Sequence, residues 1–249
     1  MRICVFDLAS RPIIVPASSL MTSNEALHLL DKLISNRSIL EHPFYLAWRQ
    51  GDLAKAQLAI YAQIYYPHVA AFPSYLRNAI HCATDAATRQ DLENNLADEL
   101  GNPAPHSELW LDFAEAMGAE RAMVKDLPPT PKTSQTISAF EQLTARDCVS
   151  GLAALYAYES QQPSVADEKI RGLRLTYGTT ESKAFSYFTV HAAADLEHRF
   201  AERVSLARCL QSGESAERIM TAAEESLEAY WHLLDGVCEE AGVETAASN

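Results

Sequence analysis

The segment HAAADLEH, residues 191–198, carries the pattern that decides the fold of this chain. On an α-helix His191, Asp195 and His198 stand at positions i, i+4 and i+7, so they share one narrow stripe. The three alanines that follow His191 leave this face small enough to lie against other helices. The segment therefore predicts a helix that turns two imidazoles and a carboxylate into the interior of a helical bundle. A solvated polar face is the alternative interpretation, because further charged residues surround the segment.

The rest of the chain also predicts helices and shows no alternating strand pattern. A capping box at Thr22 and Glu25 predicts the first helix. The later helices are expected at about residues 41–50, 52–66, 67–84, 85–100, 106–117, 134–161, 165–177, 181–210 and 214–241. Pro67 is expected to break the third helix or to form the first turn of the next one. The segment LPPTPKT, residues 127–133, is expected to be a surface loop inside one domain. The fold class is therefore all-α.

The domain boundaries follow from these helices. Residues 22–243 are expected to form one helical domain. Residues 1–21 are expected to be an extension, which either precedes a biological start at Met21 or forms a strand-like arm. Residues 244–249 are expected to be a frayed tail.

Composition limits the class of protein. The chain has 249 residues, 48% hydrophobic and 21% charged, as is ordinary for a globular protein. Its formal net charge of -13 argues against nucleic acid and anionic membranes as partners. Five widely spaced cysteines without a CxxC argue against structural zinc and a disulfide framework. Without an apolar run of about 18 residues, we expect a soluble cytoplasmic protein.

Three further residues extend the chemistry of the helical stripe. Glu99 lies in LADELG, His106 follows the break GNPAP, and Glu159 ends the apolar run GLAALYAYE. Taken singly, each is more simply a residue at a helix end or in a loop. Together with the stripe they offer three carboxylates and three imidazoles, a set that suits two ions of the iron or manganese kind. The usual ferritin-like pattern, Glu-x-x-His on each of two helices, is absent from the sequence.

Several longer strings resemble one family. EHPFYLAW, DELGNPAPH, ALYAYESQQP, EKIRGL and SYFTVHAAADLEH are similar to the chlamydial protein associating with death domains and its bacterial relatives. These belong to the heme-oxygenase-like diiron oxidases, which are related in fold to thiaminase II and pyrroloquinoline quinone synthase. The resemblance covers about residues 22–240.

The resemblance implies a heme-oxygenase-like seven-helix bundle with a dinuclear metal site. The implied cofactors are two iron ions, or one manganese and one iron, with dioxygen as co-substrate and an external electron donor. The metal ligands carried over onto this sequence are Glu99, His106, Glu159, His191, Asp195 and His198.

The resemblance also implies an activity, the synthesis of para-aminobenzoate for folate from the protein's own side chains. The sacrificed tyrosine corresponds to Tyr45, and the lysine that supplies nitrogen corresponds to Lys169. Tyr158, Tyr187 and Tyr61 fall at tyrosine positions of the family and are candidates to relay an oxidising equivalent. From the residues alone, Tyr45 is more simply a core aromatic and Lys169 a solvated lysine.

Other functions stay open at this point. The thiaminase branch needs a cysteine nucleophile, but Ala153 lies near that place and Cys148 is farther back. The quinone synthase branch needs basic residues for a polyanionic substrate, and the alanine-rich stripe offers few. A diiron oxygenase for a diffusible amino acid or fatty acid would use the same ligands. A protein-interaction module is the non-enzymatic alternative, and a homodimer is the default assembly.

Overall fold

The structure, a computed structural model, describes residues 4–7, 11–14, 21–101 and 104–244. These residues confirm the all-α fold class. The described part contains eleven α-helices, so the expected count of seven helices is not confirmed. The helices are α1 Ser23–Asn36, α2 Pro43–Gln50, α3 Lys55–Cys82, α4 Ala86–Gly101, α5 His106–Met117, α6 Arg121–Asp126, α7 Pro131–Arg146, α8 Cys148–Glu159, α9 Gln162–Leu175, α10 Ser186–Gln211 and α11 Ala216–Ala241. Short 3-10 helices cover Ile39–Glu41 and Ser182–Phe185.

Helix α8 lies at the centre of the bundle. All of its residues are buried, and it packs against α7, α10 and α11. Its sequence explains this position, because alanines and Gly151 let neighbouring helices approach closely. The long helices α3 and α10 run alongside, so side chains from several helices meet in one interior.

Several expected helix ends agree with the structure. The Thr22 backbone N–H donates to the Glu25 carboxylate at 2.8 Å, and the Glu25 N–H donates to the Thr22 hydroxyl at 3.2 Å. Gly51 and Gly118 end their helices with φ angles of 78° and 98°, which glycine adopts without strain. The sequence predicts these helix ends because a capping box or a terminal glycine acts on neighbouring residues only.

The expected break at Pro67 is wrong. Helix α3 continues through both Pro67 and Pro73. Each proline removes one backbone hydrogen bond. The residues that α3 buries on both sides of Pro67, including Tyr61 and Phe72, hold the helix against its neighbours. Tertiary packing therefore overrides the local breaker.

The region around residues 121–161 also differs from expectation. The expected helix 134–161 is two helices. Asp147 has an extended backbone, which ends the first helix, and its side chain accepts the Ser150 N–H and so caps the second. Helix α7 begins at Pro131, a residue type suited to a first turn, so the expected loop is shorter. Helix α6 was not predicted.

Two short strands lie in the expected N-terminal extension. β1 Cys4–Asp7 and β2 Arg11–Ile14 pair antiparallel, with Cys4 opposite Ile14. The remainder of residues 1–20, part of the GNPAP break (102–103) and residues 245–249 of the expected tail lie outside the described residues. The domain limits stay predictions. Among the helices that the structure describes, none is both long and apolar enough to cross a membrane.

A close crossing joins α2 to α9. Gly172 of α9 lies against the indole of Trp48, whose Nε1 donates to the Glu168 carbonyl at 3.4 Å. A Cβ atom added at Gly172 would clash with Nε1 and lie 2.8 Å from Cε2 of this indole. The absence of a side chain at Gly172 therefore fixes where Trp48 sits.

We expect Gly172→Ala to destabilise the protein by about 1–3 kcal/mol, because overpacking forces the indole out of place. Thermal unfolding followed by circular dichroism should show a melting temperature several degrees lower. Gly101→Ala is the matched control, since a Cβ there meets nothing within 4 Å. Equal melting temperatures for the two variants would contradict the packing argument.

Candidate metal centre

Four helices bring the six expected ligands into two groups. Glu99, His106 and His191 form the first group, and Glu159, Asp195 and His198 form the second. Within each group the candidate ligand atoms lie within 4.8 Å of one another, and all six residues are buried. The stripe on α10 contributes to both groups, so the two groups lie side by side along one helix.

The first group joins the end of α4, the start of α5 and α10. His106 Nδ1 is 2.8 Å from Glu99 Oε1, and His191 Nε2 is 3.7 Å from the same oxygen. His191 Nδ1 lies 2.8 Å from the Tyr187 carbonyl. Because a carbonyl only accepts, Nδ1 donates this bond, and Nε2 is left to face Glu99. This is how metal-binding histidines are usually oriented.

The second group has the same design. His198 Nε2 is 3.0 Å from Asp98 Oδ2, so a carboxylate outside the group orients the ring. His198 Nδ1 then faces Asp195 Oδ1 at 3.5 Å and Glu159 Oε2 at 3.9 Å without a hydrogen bond. Asn95 Nδ2 donates to both Glu159 oxygens at 3.0 Å. Acceptor atoms that converge in this way need a cation between them.

The electrostatics also favour a cation in both groups. Burial alone would raise the pKa of Glu99, but hydrogen bonds from His106 and His191 bring it down to about 2. Burial raises the pKa of Glu159 to about 8. Burial alone would lower the pKa values of His191 and His198. The neighbouring carboxylates outweigh it and raise these pKa values to about 9 and about 10. In the metal-free protein, protons on these imidazoles supply the positive charge.

Three polar residues around the groups were not predicted. Asn95, Asp98 and Glu202 are additional to the six. Periodicity offered a signal for two of them, because Asn95 is four residues before Glu99 and Glu202 is four residues after His198. Asp98 offered none, since it is exposed and next to the candidate ligand.

Tyr45, Tyr61 and Lys169 meet in a second buried place, which we call the aromatic chamber. The Lys169 Nζ atom lies 3.7 Å from the Trp48 ring centroid, 3.9 Å from that of Tyr61, 4.5 Å from that of Phe44 and 4.6 Å from that of Tyr45. Among the described residues neither Nζ nor the Tyr45 hydroxyl has a hydrogen-bond partner. Burial lowers the pKa of Lys169 well below its usual value and raises that of Tyr45.

Small cavities connect the chamber to the two groups. One is lined by Tyr45, Tyr61, Tyr187 and His191. A second is shared by Tyr187, His191 and residues of both groups. Each has a volume of about 10 Å³, which is room for about one water molecule.

The predicted tyrosines lie along this connection. The Tyr187 ring stacks on His191 with centroids 4.0 Å apart. The Tyr158 hydroxyl is 2.9 Å from the Tyr65 hydroxyl, and the Tyr65 ring is 5.5 Å from that of Tyr61. Tyr65 was not predicted, because a tyrosine in an apolar helix is usually a core residue.

The fold and the buried acid and histidine groups define a helical enzyme of the metal-dependent redox class. Residues 59–231 match the family described as iron-containing redox enzyme, and the chain belongs to this family. The expected resemblance is thereby confirmed.

Individual relatives are similar over most of their length. A 4-aminobenzoate synthase of Nitrosomonas europaea is 34% identical over 230 residues, which cover 88% of this chain and 93% of the relative. A 4-aminobenzoate synthase of Chlamydia trachomatis is 36% identical over 211 residues, which cover 84% of this chain and 90% of the relative. The solved structure of a CADD-like protein of Nostoc punctiforme has a TM-score of 0.73 at 20% identity, covering 89% and 99%. A heme oxygenase-like domain of Shewanella denitrificans has a TM-score of 0.64 at 18% identity, covering 87% and 90%, so the expected fold is confirmed.

The buried lysine makes a prediction about pH. Unfolded Lys169 is protonated at neutral pH, whereas burial favours the neutral amine in the folded state. Unfolding therefore takes up a proton, and the stability contributed at this position rises with pH. We expect Lys169→Met to be more stable than the wild type at pH 7, and the difference to shrink towards pH 10.

Chemical denaturation of both proteins between pH 7 and 10 measures this difference. Exposed Lys32→Met controls for the loss of one positive charge from the surface. A difference between wild type and Lys169→Met that stays constant across this range would show that Lys169 is charged when folded.

Proposed function

We propose that this protein makes 4-aminobenzoate from the side chain of its own Tyr45, with Lys169 as the source of nitrogen. The observation that carries the proposal is the aromatic chamber. It holds the Tyr45 ring 4.6 Å from the Lys169 nitrogen, away from solvent, beside a cavity that reaches His191. Relatives named 4-aminobenzoate synthase support the same product.

The chemistry requires three changes to a tyrosine side chain. The Cα–Cβ bond is cut, Cβ is oxidised to a carboxylate, and the phenol oxygen leaves as water as nitrogen takes its place. The Cε–Nζ bond of Lys169 is also broken by oxidation, so that the nitrogen leaves with the product. These changes need an oxidant, which we propose to be dioxygen with an external electron donor. A redox-active metal centre is therefore part of the proposal.

The residues present fit such a centre. Glu99, His106 and His191 would hold one ion, and Glu159, Asp195 and His198 would hold the other. Carboxylate and imidazole donors suit iron, or manganese with iron. When bound, these ions would supply the electron transfer that activates dioxygen.

The side chains of the chamber have distinct tasks. Burial lowers the pKa of Lys169 and so favours the neutral amine, whose nitrogen lone pair can attack carbon. The surrounding rings exclude water and hold the amine over the Tyr45 ring. Tyr187 and Tyr61 line the cavity that His191 and Tyr45 share, and Tyr158 contacts Tyr65 of the same cavity. Loss of an electron and a proton from these tyrosines in turn would carry oxidation to Tyr45.

The cavities argue against the other enzymatic candidates. Spaces of about 10 Å³ do not admit an amino acid or a fatty acid beside the two groups. No lysine or arginine is among the described residues lining these two cavities, so a polyanionic substrate lacks partners there. Cys148 and Glu159 lie at opposite ends of α8, about 16 Å apart by helix rise, which does not fit a thiaminase pair.

Peptide mass mapping tests the sacrifice directly. The metal-free protein is loaded with iron, with and without manganese, then reduced and exposed to air. Trypsin releases residues 38–49, which contain Tyr45. We expect this peptide to lose the tyrosine side chain, cleavage at Lys169 to change, and free aminobenzoate to appear in a ratio of at most about one per chain.

Two variants sharpen this test. Tyr45→Phe should release no aminobenzoate. Tyr66→Phe, which changes a half-buried tyrosine on α3, should behave like the wild type. An intact Tyr45 in metal-loaded protein that still consumes oxygen would overturn the proposal and point to a diffusible substrate.

The ring orientation of His198 gives a second test. Asp98→Ala removes the carboxylate that accepts from Nε2, so we expect metal affinity to fall by about 10–100-fold. Metal titration of the apoprotein measures this loss. Glu93→Ala, also exposed on α4, is the control. Unchanged affinity in Asp98→Ala would show that the Asp98 contact does not support a metal ligand.

A further inference from the structure

We propose that Glu202 is a further carboxylate ligand of the metal pair, on the side of Glu159, Asp195 and His198. This inference rests on the proposed metal centre and goes beyond the six residues that the resemblance implies. It adds a fourth carboxylate to the three already placed.

The helix places Glu202 where a ligand would be. It stands one turn after His198 and two turns after Asp195, so it continues the stripe on α10. Only 3% of the residue is exposed. Among the described residues, neither carboxylate oxygen has a hydrogen-bond partner. A buried carboxyl in this condition is unfavourable unless something else satisfies it.

The surroundings of Glu202 call for a cation. Its carboxyl faces those of Glu159 and Asp195, so three acidic side chains meet here and would repel one another when ionised. Together with Asn95, His198 and Ser205 it lines a small cavity of about 10 Å³. Arg208, further along α10, makes no ion pair with Glu202; its Nη2 donates to Ser205 at 2.8 Å and to Thr88 at 3.1 Å. A divalent ion beside Glu159 would turn this repulsion into attraction.

Charge balance supports the same assignment. Two divalent ions bring four positive charges into a buried site. The three expected carboxylates supply three negative charges, while neutral imidazoles supply none. With Glu202 as a fourth carboxylate, the total charge of the protein ligands and two divalent ions is zero. A neutral cluster is much less costly to bury than a charged one.

The alternative role for Glu202 is a protonated acid that only fills space. Glu202→Gln separates the two roles, because glutamine has the shape and neutrality of the protonated acid but is a poor ligand. Glu197→Gln, which is exposed on the same helix, is the matched control. Glu202→Leu provides a second variant that removes the buried carboxyl altogether.

The experiment titrates the full-length apoprotein with Mn²⁺ and follows free Mn²⁺ by electron paramagnetic resonance. We expect the wild type and Glu197→Gln to bind two ions. Glu202→Gln and Glu202→Leu should bind one of the two ions at least about 10-fold more weakly. Melting temperatures of the apoproteins verify folding, and removing an unpartnered carboxyl should not lower them.

Each result decides between distinct statements. Two ions bound by Glu202→Gln with wild-type affinity would overturn the role of Glu202 and leave the proposed metal pair intact. Fewer than two ions bound by the wild type, in Fe²⁺ titrations under anaerobic conditions as well, would overturn the metal pair and this inference with it.

Discussion

The rest of the structure depends on one constraint: buried carboxylates and histidine nitrogens meet beside helix α10. Two histidines are turned by outer partners, the Tyr187 carbonyl and the Asp98 carboxylate, so that their remaining nitrogens point inward. Such an arrangement is stable only if positive charge sits inside it, as protons or as metal. The centrality of α8 and the length of α10 serve to bring these groups together.

Much of this arrangement was present in the sequence, for physical reasons. The spacing of His191, Asp195 and His198 fixes their shared face wherever the segment is helical. Glu99, His106 and Glu159 were placed through the family resemblance, because no local pattern tells which helices will face each other. The continuation of α3 through Pro67 was missed for the same reason, since the packing that holds it comes from distant segments.

The aromatic chamber was harder to predict from the sequence. A lysine in an amphipathic helix is normally solvated, and nothing local to Lys169 indicates that four rings will enclose it. The enclosure depends on Gly172, whose missing side chain lets Trp48 approach α9. The outer residues Asn95 and Asp98 were missed because their importance comes only from what they contact.

The position of Tyr45 has a consequence for the life of the molecule. Its side chain is fully buried between Phe44 and Lys169 and belongs to the core of the bundle. Removing a large buried aromatic side chain typically costs about 3–5 kcal/mol, a large part of the stability of a whole domain. In the proposed reaction, the spent chain is thus a weakened fold that exposes itself to proteases more often. The same event that releases the product would then mark the protein for disposal, and supply of the product would follow the rate at which new chains are synthesised.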